Sequence, residues 1–189
     1  MLSVKFIRIL LIVSLFVNFS VLKADAKKNI IENINKTDSI KFDFIQITND
    51  KEEKGVCYLK RPHYLKCEYK DKNQKQLIVN RNNLVIYHKR YEKIYNYPLS
   101  KSYFSEILNK EKFSKMIAKG ILKKKDKIFL VNCLLKEKGQ IDFYFNSEDF
   151  SLYGWDLISL NDNKINFKIL NSVKNYEIKK TLFDIPKIN

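Results

Sequence analysis

Gly55-Val-Cys-Tyr-Leu-Lys-Arg-Pro-His-Tyr-Leu-Lys-Cys-Glu-Tyr69 is two short β-like runs joined at Arg61-Pro62-His63. Strand side chains alternate between the faces of a ribbon. With the turn centred on Pro62, one face carries Cys57, Leu59, Arg61, Leu65, Cys67 and Tyr69. That face is apolar, with one cation at its rim. A guanidinium there needs a partner, since burying an unpaired charge is costly, or else it only packs its stem. The register also sets Cys57 opposite Cys67. In an oxidising compartment they form a disulfide; otherwise both, with Cys133, are small buried hydrophobes, and both readings stay open.

Outward from the hairpin, the pattern stays mostly period two. Ile40-Lys-Phe-Asp-Phe alternates as a half-buried strand and runs on to Thr48, with Asn49-Asp50-Lys51 as its turn. Downstream, residues 76–80 and 84–88 predict a second hairpin around Arg81-Asn82-Asn83. A strand from Tyr91 to Tyr97 follows, stopped by Pro98. The period then changes. Phe104, Ile107, Leu108, Phe113, Met116 and Ile117 recur at three and four, so one or two short helices interrupt the strands. Ile30, Ile31 and Ile34 predict another short amphipathic helix over 27–37. Strands return at 121–124, 128–135, 140–145, 151–160 and 165–170, and 182–186 reads as a last extended piece. Gly and Pro are scarce, so Asn and Asp are expected to carry most turns.

A meander of roughly ten antiparallel strands must curl, and something must cover its concave face. The short helices are the available cover. The expected fold is mainly β (α+β): an incomplete antiparallel β-barrel, capped by two or three short helices around an apolar cavity.

The N-terminus has the pattern of a secretory signal peptide over residues 1–26. Lys5 and Arg8 precede an apolar run, Ile9 to Val17, broken only by Ser14, and Ala24-Asp25-Ala26 offers a small-x-small cleavage site. The run is short for a membrane span. No cysteine lies near the site, so no lipid anchor is expected. Residues 27–189 then suit one domain, soluble in the periplasm.

The formal net charge is +15, a value that raises the question of nucleic acid or an anionic surface. Almost all of it is scattered lysine. Arginine, the residue of planar phosphate recognition, occurs only at positions 8, 61, 81 and 90. Nucleic-acid binding is not expected. The three cysteines and two histidines lack metal-ligand spacing, and no nucleophile motif or Gly-rich phosphate loop is present, so neither metal, cofactor nor enzymatic activity is expected. Trp155 reads as a structural core or rim aromatic, and Lys60 as solvated.

The motif Gly55-x-x-x-x-Lys60-Arg61-Pro62 with its aromatic second strand resembles the LolA family of periplasmic lipoprotein carriers. Further matches follow in order along the chain: Phe44-Ile-Gln46, Leu77-Ile-Val79 with Leu84-Val-Ile-Tyr87, Tyr97-Pro-Leu99 with Ile107-Leu108, Leu152-x-x-Trp155 with Asn161-Asp-Asn163, and Leu182-Phe-x-Ile-Pro186. Two positions depart from the family pattern. Asn80-Arg-Asn-Asn83 replaces the usual Asp-Gly turn, and Cys67 stands where a large aromatic is common. The resemblance implies a monomeric periplasmic chaperone that binds the acyl chains of lipoproteins. It would receive them from an inner-membrane lipoprotein-release ABC transporter and deliver them to an outer-membrane, LolB-like acceptor. The alternative is a LolA-like module that binds another lipid or senses lipoproteins. By the same resemblance Arg61 is a lid latch that hydrogen-bonds lid carbonyls. Cys57, Leu59, Leu65, Cys67 and Tyr69 line the acyl cavity, and Ile30, Ile34, Phe104, Ile107 and Leu108 are lid-helix contacts.

Overall fold

A computed structural model describes residues 24–135, 138–159 and 163–187. Most of the signal peptide, and Leu160 to Asp162 of the late turn, therefore lie outside the described residues. A helix, α1, covers residues 24–36. Eleven strands follow: β1 (Ser39–Thr48), β2 (Lys51–Lys60), β3 (Tyr64–Tyr69), β4 (Lys75–Asn80), β5 (Asn83–His88), β6 (Lys93–Pro98), β7 (Ile121–Lys125), β8 (Ile128–Leu135), β9 (Gly139–Asn146), β10 (Leu152–Ile158) and β11 (Lys164–Lys174). Helices α2 (Phe104–Ile107) and α3 (Lys110–Lys119) interrupt them between β6 and β7.

All strands join one antiparallel sheet in the order β6-β5-β4-β3-β2-β1-β11-β10-β9-β8-β7. Every neighbour is a chain neighbour except the β1–β11 pair, which brings the two halves of the chain together. The sheet stays open, with β6 and β7 as its edges. It is the incomplete barrel expected from the sequence, with one more strand than the approximate count.

Local detail departs from expectation in three places. The stretch after His88 first makes a 3₁₀ turn over Lys89–Tyr91, with Glu92 left-handed, before β6 begins. At the β4–β5 turn the left-handed residue is Arg81 (φ 56°), not an asparagine. The final segment opens as a 3₁₀ turn, Lys180–Phe183, and becomes extended only at Asp184. Phe183 packs on Tyr64 with ring centroids 5.3 Å apart, and Asn80 Nδ2 donates to its carbonyl at 3.1 Å. Tyr64 alternates with the inward Leu65, so this strap covers the convex face of the sheet. Lys60 is not simply solvated: its Nζ donates to the Ile178 carbonyl of the strap approach at 2.7 Å. Elsewhere Asn and Asp do carry turns, with Asn49, Asp50, Asp126 and Asn175 all at positive φ, while Asn171, also positive, sits at an irregularity within β11.

The concave face is filled unevenly. Over β8 and β9, α3 inserts Phe113 and Ile117, both fully buried, with Phe113 set 5.0 Å from the Phe143 ring. Asn109 caps α3, its Oδ1 accepting from Lys112 N at 3.0 Å. Glu111 in the first turn and Lys119 in the last suit the helix dipole. The rest of the bowl, from β10 and β11 round to β5, is covered by residues of α1 and α2 without being filled.

Candidate functional site

The hairpin register places the predicted face as expected. Cys57 opposes Cys67, Leu59 opposes Leu65, and Gly55 opposes Tyr69. Cys57 and Cys67 are joined as a disulfide, which resolves the two readings in favour of the crosslink. Gly55 is needed for packing: a Cβ there would meet Glu68 O at 2.1 Å and the Phe44 ring at 2.7 Å. Phe44 in turn stacks on Phe167 (5.0 Å) and takes Tyr69 edge-on (5.0 Å).

These residues wall a cavity of about 290 Å³ between the sheet and the helices. Cys57, Leu59, Arg61, Leu65, Cys67 and Tyr69 line it from β2, β3 and their turn; Ile34, Phe104, Ile107 and Leu108 line it from above. Ile30 does not line it. It is fully buried in the core, one turn of α1 away from the space that Ile34 reaches. The far wall had no local sign in the sequence: Phe42 from β1, Phe145 from β9, Trp155 from β10, and Phe167 and Ile169 from β11. Trp155 stacks flat on Phe167 at 4.1 Å. It is buried, as expected of a core aromatic, yet it also faces the cavity.

Arg61 closes the space. Its Nη1 donates to the Ile107 carbonyl at 2.7 Å and, more weakly, to the Leu108 carbonyl at 3.4 Å. These are among the last carbonyls of α2, which have no partner within the helix and carry its negative dipole end. The guanidinium also lies over the Phe113 ring, 5.5 Å from its centroid. Burial pulls the Arg61 pKa down to about 10, and the Asp38 carboxylate opposes the shift. Arg61 therefore stays charged at neutral pH. Its backbone N donates to Asp38 O at 2.8 Å. Asp38 Oδ1 takes the Lys110 ammonium at 2.5 Å, and Lys110 also donates to Asn35 O at 2.6 Å. The β2–β3 turn, the end of α1 and the start of α3 thus meet around Arg61.

At the other side of the cavity, Tyr69 O–H donates to Gln46 Oε1 at 3.0 Å, and Lys75 Nζ sits 3.8 Å over the Tyr69 ring. Lys75 is itself paired with Glu53 at 2.7 Å. Burial pushes the phenols of Tyr69 and Tyr103 up, so both stay neutral. Among the described residues no group of His, Cys, Asp and Glu has the makings of a metal site. No helix among them is long and apolar enough to cross a membrane.

Comparison with known proteins agrees with this architecture. The model of the family described as outer membrane lipoprotein carrier protein LolA matches residues 35–186. The chain belongs to the LolA family. Among curated proteins, none matches it in sequence. Solved structures share the fold at very low identity. One is an uncharacterized conserved protein from Thermus thermophilus, at 8% identity, a TM-score of 0.54, and coverage of 87% of this chain and 94% of that one. Another is a DUF1329 family protein from Desulfovibrio piger, at 7% identity, a TM-score of 0.50, and coverage of 85% and 96%. At such identities the likeness shows a shared fold alone. The matched stretch includes Lys60-Arg61-Pro62, and with it the arginine that ties down α2.

Proposed function

We propose that this LolA-family protein is a periplasmic carrier for acylated lipoproteins. In this reading the signal peptide is cleaved after Ala26, and residues 27–189 work as a soluble monomer. An ABC transporter at the inner membrane hands over the acyl chains, and a LolB-like acceptor at the outer membrane receives them. Each methylene kept from water is worth about 0.8 kcal/mol, so acyl chains do not cross an aqueous compartment unshielded.

The observation that carries the reading is one arginine holding a helical lid over an apolar cavity. Arg61 trades its solvation for the Ile107 and Leu108 carbonyls. A chain entering between Leu65 and Ile107 would separate the guanidinium from those carbonyls. Packing of the acyl chain against the lid's Ile34, Phe104 and Leu108 then offsets the lost hydrogen bonds. Release restores the bonds, so Arg61 acts as a latch that favours the empty state. Binding is strong enough to extract cargo and weak enough to yield it. No residue is assigned a catalytic role.

The cavity volume of about 290 Å³ is at the small end for ligand sites, roughly 300 to 1,000 Å³. Several acyl chains need the lid displaced, whereas a single chain needs less. That size is the observation favouring the second reading, a carrier of a single-chain lipid.

The test is a release assay. Purified protein is added to spheroplasts making a triacylated lipoprotein, and the supernatant is examined for a soluble one-to-one complex. The carrier reading expects that complex. Lipoprotein retained on the membrane, with folded protein and a working release complex present, contradicts it and turns attention to the second reading.

A further inference from the structure

Among the described residues, two buried side-chain polar atoms have no hydrogen-bond partner: Arg61 Nε and Trp155 Nε1. Both are donors, and both side chains line the same cavity. Native proteins pair nearly all buried polar groups, and an unmade bond costs about 1–3 kcal/mol. Two orphans of one sign in one cavity define a complementary ligand. It must bring lone pairs.

The setting of each donor is fixed. The Trp155 indole is clamped flat against Phe167, with an interplanar angle of 6°. The Tyr103 hydroxyl lies against the indole N–H without closing a hydrogen bond of good geometry. Tryptophan can only donate, and the Tyr103 oxygen, the acceptor beside it, is not placed to take the proton with good geometry. On Arg61, Nη1 is committed to Ile107, which leaves Nε over. Most of the remaining wall is aliphatic and aromatic, so the rest of the ligand must be hydrocarbon.

We propose that the cavity selects an acyl chain by the carbonyl at its head, with Trp155 Nε1 and Arg61 Nε each donating to a carbonyl oxygen. The same chemistry is offered by the ester carbonyls of an acylglyceryl group and by the carboxyl of a free fatty acid. The inference rests on the carrier reading and adds polar recognition to it.

Trp155 is the only tryptophan of the chain, so ¹⁵N-labelled protein gives a single indole N–H resonance. Methyl palmitate and hexadecyl methyl ether match in length and differ by the carbonyl. The ester is expected to move the indole resonance downfield and the ether to leave it in place. The ester should displace a bound apolar dye at a concentration about two- to tenfold lower than the ether, the worth of one net hydrogen bond. Trp155→Phe should shrink that ratio without weakening the ether. Palmitate as third ligand separates the sources: tighter binding than the ester supports a fatty acid, weaker binding an acylglyceryl ester. Equal displacement by ester and ether with a stationary indole would overturn the inference and leave the carrier reading standing. Failure of every chain to displace the dye would overturn both.

Discussion

The Arg61 guanidinium and the Ile107 carbonyl, 46 residues apart in sequence, meet at 2.7 Å. One side chain from the β2–β3 turn thereby ties the end of α2 across the mouth of the cavity. The bond is mostly hidden from water, so losing it leaves helix carbonyls to find other partners.

Arg61→Leu is expected to remove about 1–3 kcal/mol from the closed state while keeping an apolar side chain in place. The lid then stays open and bound lipoprotein is retained. Transfer from a preformed complex to outer-membrane vesicles measures this. Normal hand-over by the variant would contradict the latch.

Leu65 is buried against Leu59 on the cavity floor. Leu65→Glu sets a carboxyl in that floor, where a charge without a partner is strongly disfavoured. Uptake of acyl chains should fall at least tenfold at neutral pH and recover in part on acidification, as the carboxyl becomes neutral. Undiminished uptake by a folded variant would show that the chains lie on another face.

Cys57 and Cys67 close a short loop, with a sequence separation of 10. Constraining a loop of that size in the unfolded chain is worth about 3 kcal/mol. Urea unfolding with and without reductant should show a lower midpoint on reduction and a loss of stability of that size, and Cys57→Ala with Cys67→Ala should reproduce it. A midpoint indifferent to reductant would show that the crosslink does not stabilise the fold.

Cys133 is a free, buried thiol on β8. Burial, helped by the Asp142 carboxylate, pushes its pKa from 9.0 up to about 12. Only the thiolate is nucleophilic, so at pH 8 the folded protein should react with iodoacetamide far more slowly than the urea-unfolded chain. The folded-state rate should keep climbing above about pH 10, where an ordinary thiol has levelled off. Equal rates at pH 8 in both states would show that the thiol is accessible.

Much of this was legible in the sequence, and for a clear reason. In β2 and β3, Cys57, Leu59, Leu65 and Cys67 alternate with Tyr58, Lys60, Lys66 and Glu68, so the four could be assigned to one face and one register. The switch to period three and four at Phe104 marked α2 and α3 equally well. The far wall was not legible. Phe42, Phe145, Trp155 and Phe167 come together because β1 pairs with β11, and that long-range closure leaves no local trace. Ile30 and Ile34 share a helical stripe, and spacing alone did not tell that Ile34 reaches the cavity while Ile30 is core. The 182–186 segment, too short to show a helical period, reads as extended from sequence. The 3₁₀ turn is set by Phe183 docking on Tyr64, again a contact distant in sequence.

The most direct test of the carrier role is photo-crosslinking from inside the cavity. A photoreactive phenylalanine is placed at Leu65, on the cavity floor, or at its outward neighbour Lys66, in cells expressing a radiolabelled lipoprotein. Lipoprotein crosslinks are expected from position 65, through the acyl chains, and none from position 66. Equal crosslinking at both positions, or a stable complex with no crosslink from 65, would contradict a carrier that shields acyl chains in this cavity.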